Sequence, residues 1–139
     1  MCLCRQRKTT IDYDHIDEFI KQEGREKFGP VRMALNNHYF FGVFWRAFGP
    51  NGLWHVWVYI VGNKNDGKEY VYSIKIVNLN LDEEITYTGQ TVPIDVSREE
   101  VIKFSRCMLF DDETAKRFCR NDTITFHIDL KSNSNKREQ

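Results

Sequence analysis

A long central stretch of this chain reads with a period of two, and that alternation constrains the fold more than any other feature. In NHYFFGVFWRAF, Tyr39, Phe41, Val43 and Trp45 fall on one side, and Phe40, Gly42, Phe44 and Arg46 on the other. LWHVWVYIVG sets Trp54, Val56, Val58 and Ile60 facing one way, and EYVYSIKIVNL alternates Tyr72, Ile74 and Ile76 against Ser73 and Lys75. Successive side chains of a strand point to opposite faces, so runs of this kind are β-strands. Their aromatic and β-branched content suits packed sheet. Between them, FGPNG, with Pro50 and Gly52, and NKNDGK read as turns, and Asp66-Gly67 is a hairpin signal. The three runs are therefore expected to form an antiparallel meander.

Around this centre the signals are shorter. MCLCRQRKTT is polar and basic and reads as loose. Ile16, Phe19 and Ile20 share one helical face, with acids at the start and Gly24 at the stop. REKFGP reads as a connector. EITYTGQ is a further strand. Ser97 to Ser105 reads as a helix, with Ser97 as N-cap, Glu100 at capping-box spacing and Val101, Ile102 and Phe104 as its apolar side. CMLF reads as a buried strand, and DDETAKRF as a second short helix whose acids meet its positive end. TITFHIDL closes the domain with Ile124, Phe126 and Ile128 inward. The tail KSNSNKREQ has no apolar residue and is expected to be disordered. The chain thus divides into 1–30, an N-terminal extension with a short helix, 31–130, the domain proper, and 131–139, a polar tail. The pattern is that of an all-β sandwich with an N-terminal helix and two short inserted helices.

Composition removes several functions. The chain has 139 residues, enough to bury a core without metals or disulfides. Lys plus Arg and Asp plus Glu number 20 each. No basic excess exists to hold a phosphate backbone, so nucleic acid is not expected as a partner. A neutral chain associates with itself readily, which favours an oligomer. The apolar runs are too short and too interrupted to span a membrane. Cys2, Cys4, Cys107 and Cys119 are few for a secreted disulfide scaffold, so the chain reads as intracellular with reduced thiols.

No constellation calls for catalysis or a cofactor. Cys2 and Cys4 are the only close cysteine pair and have no second pair to complete a zinc site. Cys107 and Cys119 read as small core residues, although Arg106 and Arg120 are their sequence neighbours. His55 and His127 sit mid-strand, and no nucleophile motif, H-E-x-x-H or phosphate loop accompanies them. Asp111, Asp112 and Glu113 are explained by the start of a helix. Trp45, Trp54, Trp57, Tyr59, Tyr70 and Tyr72 read as core and sheet-surface packing. The alternative is an aromatic wall for a small ligand or carbohydrate.

The segment SRCMLFDDETAKRF, Ser105 to Phe118, resembles a stretch near the C-terminus of seven-in-absentia (Siah-type) ubiquitin ligases. NHYFFGVFWRA resembles that family's first long strand, and WVYIVGNKNDGKEYVYSIKI its next hairpin. EITYTGQTVPIDVSREEVIKFS and TITFHIDL fit the elements that follow. The resemblance covers about residues 31 to 130.

It implies a TRAF-like antiparallel β-sandwich that dimerises and binds degron peptides, often Pro-x-Ala-x-Val-x-Pro, by adding them as a strand at a sheet edge. The implied groove falls on Val31, Arg32, Met33, Ala34 and Leu35, with Thr125 from the last strand where the family tends to have asparagine. Val31, Met33 and Leu35 are equally readable as core. Full ligases carry RING and zinc modules that four cysteines cannot build, so the implied role is substrate recognition without catalysis. The expected partners are degron proteins and full-length ligases, and the expected location is the cytoplasm, or also the nucleus.

Overall fold

The computed structural model describes residues 6–21, 26–47 and 52–133, with the main chain alone for 26–31 and 47. Nine strands and four short helices follow one another in it. They are β1 (Gln6–Asp14), α1 (Ile16–Lys21), β2 (Glu26–Leu35), β3 (His38–Ala47), β4 (Leu53–Ile60), α2 (Lys64–Lys68) and β5 (Tyr70–Asn78). Then come β6 (Glu83–Gln90), β7 (Val92–Pro93), α3 (Arg98–Lys103), β8 (Met108–Asp111), α4 (Asp112–Arg117) and β9 (Thr123–Ser132). One sheet has the order β1-β9-β5-β6. The other runs β2-β3-β4, beyond which β4 pairs with β7 at one end and β8 at the other. The fold is an all-β sandwich with short helical decoration.

The alternation read from sequence is what closes the sandwich. Tyr70, Tyr72, Ile74 and Ile76 of β5 and Ile124, Phe126, Ile128 and Leu130 of β9 all point inward. They meet Met33, Phe40, Phe44, Trp54 and Val56 of the opposite sheet in one core. Strand β4 is buried on both faces from Trp54 to Ile60. Its outer face lies under the segment around α3: Tyr59 Oη donates to the Val96 carbonyl at 2.9 Å, and the Arg98 guanidinium sits 4.2 Å from the Trp45 ring centroid.

Several expectations need correction. The first ten residues are not loose from Gln6 onward, because β1 pairs with β9 along its whole length. Ile11 and Tyr13 are buried, and this apolar contribution repays the ordering of a polar strand. REKFGP is not a connector from Glu26 onward, since Glu26, Lys27 and Phe28 pair with Trp45, Phe44 and Val43. The register slips between Phe28 and Arg32, where Gly29 and Pro30 stand. A bulge on an edge strand is the position that tolerates proline.

The meander holds only for β3 and β4. NKNDGK is not a hairpin turn but α2, which carries the chain from one sheet to the other. Asn63 and Asp66 form a reciprocal capping box: Asp66 N donates to Asn63 Oδ1 at 3.0 Å, and Asn63 N to Asp66 Oδ2 at 2.9 Å. A tight Asp-Gly turn needs positive φ, and Gly52 is the one described glycine that has it. Three helices rather than two are therefore inserted. Phe104, assigned to the apolar side of α3, is exposed. Lys131 and Ser132 belong to β9 rather than to the tail, while residues 134–139 lie outside the described residues. So do Cys2, Cys4, Gly24 and most of the FGPNG turn.

Candidate functional site

Among the described residues β2 pairs on one side only, with β3, and its other side is a free sheet edge. Asn36 and Asn37 join the two strands in a two-residue turn with φ of 51° and 67°. Asparagine is one of the few residues that adopts that conformation at low cost. The turn fixes Leu35 opposite His38, Ala34 opposite Tyr39, Met33 opposite Phe40 and Arg32 opposite Phe41. In an antiparallel ladder alternate residues turn their main-chain groups to the partner. Leu35 and Met33 face β3, which leaves the N–H and C=O of Ala34 and Arg32 on the free edge. Arg7 Nη1 approaches from that side and donates to the Ala34 carbonyl at 3.2 Å.

This geometry divides the expected peptide-binding residues. Met33 is fully buried and Leu35 nearly so, and both belong to the core. They do not line a groove: their side chains fill the sandwich while their main chain is consumed by β3. Arg32 and Ala34 are exposed and carry the edge. Val31 continues β2, and its side chain lies outside the described residues. Thr125 is not brought to this edge. It sits in β9, inside the other sheet, on the outward face, where its Oγ1 donates to Asp12 Oδ1 at 2.7 Å.

The groups that could do chemistry are set against it. Cys107 Sγ lies 3.5 Å from His55 Nδ1, a pair the sequence does not announce because 52 residues separate them. Burial pushes the Cys107 thiol up to about 11 and pulls His55 below its ordinary value. Both partners are neutral near pH 7, the reverse of a thiolate–imidazolium nucleophile. Asp111 is the N-cap of α4, accepting from Thr114 N at 2.8 Å. Asp112 accepts from Arg46 Nε and Trp54 Nε1, each at 2.8 Å. Of the aromatic residues offered as a ligand wall, Trp54, Trp57, Tyr59, Tyr70 and Tyr72 are buried in the core, and Trp45, partly buried, is covered by the Arg98 guanidinium. Among the described residues no cluster of three His, Cys, Asp or Glu is placed to hold a metal, and no helix is long and apolar enough to cross a membrane.

Compared with known families, residues 35–129 match the family model described as Sina, TRAF-like domain. The chain belongs to that family. No match was found among curated individual proteins. The Sina TRAF-like match begins at Leu35, the last residue of β2, and ends within β9. Strand β1 and most of β2 precede it, yet β1 pairs with β9 along its whole length and β2 with β3 on both sides of its bulge. As a Sina TRAF-like domain the chain is a protein-interaction domain related to the ubiquitin pathway.

Proposed function

We propose that this Sina TRAF-like domain captures extended segments of partner proteins, degron peptides among them, by strand addition at the free edge of β2. It would serve as the recognition part of a seven-in-absentia-type ligase, or as a stand-alone relative that competes with or joins complete ligases. The observation that carries this reading is the pair Arg32 and Ala34, whose main-chain groups face away from β3 while Met33 and Leu35 anchor the strand in the core. An anchored edge whose outward main-chain groups are not consumed by the sheet is what strand addition requires, with the Arg7 side chain on the Ala34 carbonyl to be displaced. The side chains of Arg32 and Ala34, on the outward face, are the ones that would discriminate among segments.

The same reading places the protein in the cytoplasm, or also the nucleus, as a homodimer with no cofactor. Sedimentation across the micromolar range is expected to show the dimer, and a monomer throughout would remove that part. The capture itself is tested by fluorescence anisotropy with a labelled Pro-x-Ala-x-Val-x-Pro peptide. Saturable binding is expected, and its absence at millimolar protein would count against the reading.

A further inference from the structure

The outward face of the β1-β9-β5-β6 sheet carries a trough that edge capture does not use. Two adjoining hollows of about 600 and 730 Å³ share Lys75 and His127. The register explains them: Thr10, His127, Lys75 and Thr86 form one row straight across the four strands. The threonines are short and leave the lysine and histidine standing in a depression. Pairing between β5 and β9 stops at Lys75 and His127, and the larger hollow occupies the wedge beyond that point.

The wedge is cationic and apolar together. Lys75, Arg117 and Arg120 line it with no carboxylate among its lining residues. Arg117 is held by Glu83 at 3.1 Å, but Lys75 and Arg120 make no ion pair among the described residues. Of the acids on this face, Asp129 lines the first hollow, Glu84 stands opposite Val77, and Asp12 and Asp14 accept from the Thr125 and Thr123 hydroxyls at 2.7 and 2.8 Å. Phe118 forms part of the floor, and Leu79 and Leu81 stand at the mouth, 75% and 58% exposed. Two exposed leucines grouped beside two cations without an ion pair form the kind of mixed patch that marks an interaction site.

We infer that this trough docks an acidic, partly apolar segment of a partner protein, as a second site distinct from the β2 edge. Carboxylates of the segment would meet Lys75 and Arg120, and an apolar side chain would cover Leu79, Leu81 and Phe118. Nucleic acid fits less well, because the cations are few and the mouth is leucine rather than a stacking ring.

The test uses the full chain and fluorescence anisotropy with a labelled peptide of alternating glutamates and leucines. The same peptide with lysines for glutamates serves as control. The glutamate peptide is expected to bind and the lysine peptide not. In K75E/R120E the affinity falls about tenfold, the scale of two lost exposed pairs and two new repulsions, with the thermal midpoint unchanged. L79S/L81S weakens it without altering charge, and rising salt weakens it in the wild type. Ala34→Pro leaves it unchanged, which separates this site from the edge. Affinity indifferent to charge reversal, no binding of the glutamate peptide, or full displacement by a single-stranded oligonucleotide would each overturn the inference.

Discussion

Arg46 and Asp112, from β3 and the first turn of α4, form a two-pronged ion pair in the wall of the sandwich. Nε meets Oδ1 at 2.8 Å, Nη2 meets Oδ2, and Trp54 Nε1 adds a third donor. Arg46 is only 3% exposed. Gly52 lies against the pair with φ of 43°, and a Cβ there would collide with both the guanidinium and the carboxylate. Removing the carboxylate takes a two-pronged partner from a buried cation. Asp112→Ala is therefore expected to cost about 3–5 kcal/mol in urea unfolding. Glu113→Ala, one residue on and exposed, should stay within about 0.5 kcal/mol.

The pair also sets an acid limit. Burial raises the Asp112 carboxyl, but the bonds from Arg46 and Trp54 and the charge of Arg46 outweigh it, leaving it below 3.8. A carboxyl depressed on folding stabilises above its unfolded value and loses that contribution as pH falls through the folded one. The gap in stability between wild type and Asp112→Asn should hold above pH 3.8 and close progressively below it.

Phe110 packs between the sheets, its ring 5.5 Å from Trp54 and 6.4 Å from Phe126, both stacked. Phe110→Ala should cost about 3–5 kcal/mol, the usual loss for a buried aromatic. Leu109, its neighbour in β8, points outward and is exposed. Leu109→Ser should leave the urea midpoint unchanged, so the two variants separate the faces of one strand.

Cys107 should be inert in the folded protein. With its thiol at about 11, roughly one molecule in ten thousand carries the thiolate at pH 7. Peptide mapping after brief iodoacetamide treatment should find Cys107 unmodified until denaturant is added. Rapid native labelling at Cys107 would show that the pairing with His55 activates it.

Period-two alternation was legible because the burial of β5 and β9 depends on little else. The caps of α3 and α4 were legible too, since Ser97 and Asp111 act within three residues. What stayed hidden was set at a distance. Gln6 to Thr10 look like a loose polar end, because β1 owes its place to β9 more than a hundred residues later. Asp66-Gly67 suggested a turn by local habit, yet the Asn63 cap overrides it. Asn36-Asn37 is a turn signal masked by its setting, because the alternating run NHYFFGVFWRAF takes in Asn37 as strand. Within the candidate site, the family resemblance located β2 but not its faces. Only the register from the Asn36-Asn37 turn shows that Met33 is core and that Arg32 and Ala34 hold the edge.

Arg7 guards that edge. Its bond to the Ala34 carbonyl occupies an acceptor that an added strand would use. Arg7→Ala should raise affinity for a degron-type peptide about fivefold, corresponding to a competing hydrogen bond of about 1 kcal/mol. The thermal midpoint should be nearly unchanged, as the side chain is partly exposed.

The most direct test of edge capture is the peptide affinity of Ala34→Pro, measured together with its thermal midpoint. Proline removes the Ala34 N–H, which faces the free edge rather than β3, so a donor to the added strand is lost and no ladder bond with it. Binding of a Pro-x-Ala-x-Val-x-Pro peptide should disappear with the midpoint held within a few degrees, while Thr125→Ala, on the outward face of the other sheet, binds normally. Undiminished binding by a folded Ala34→Pro protein would contradict capture at β2.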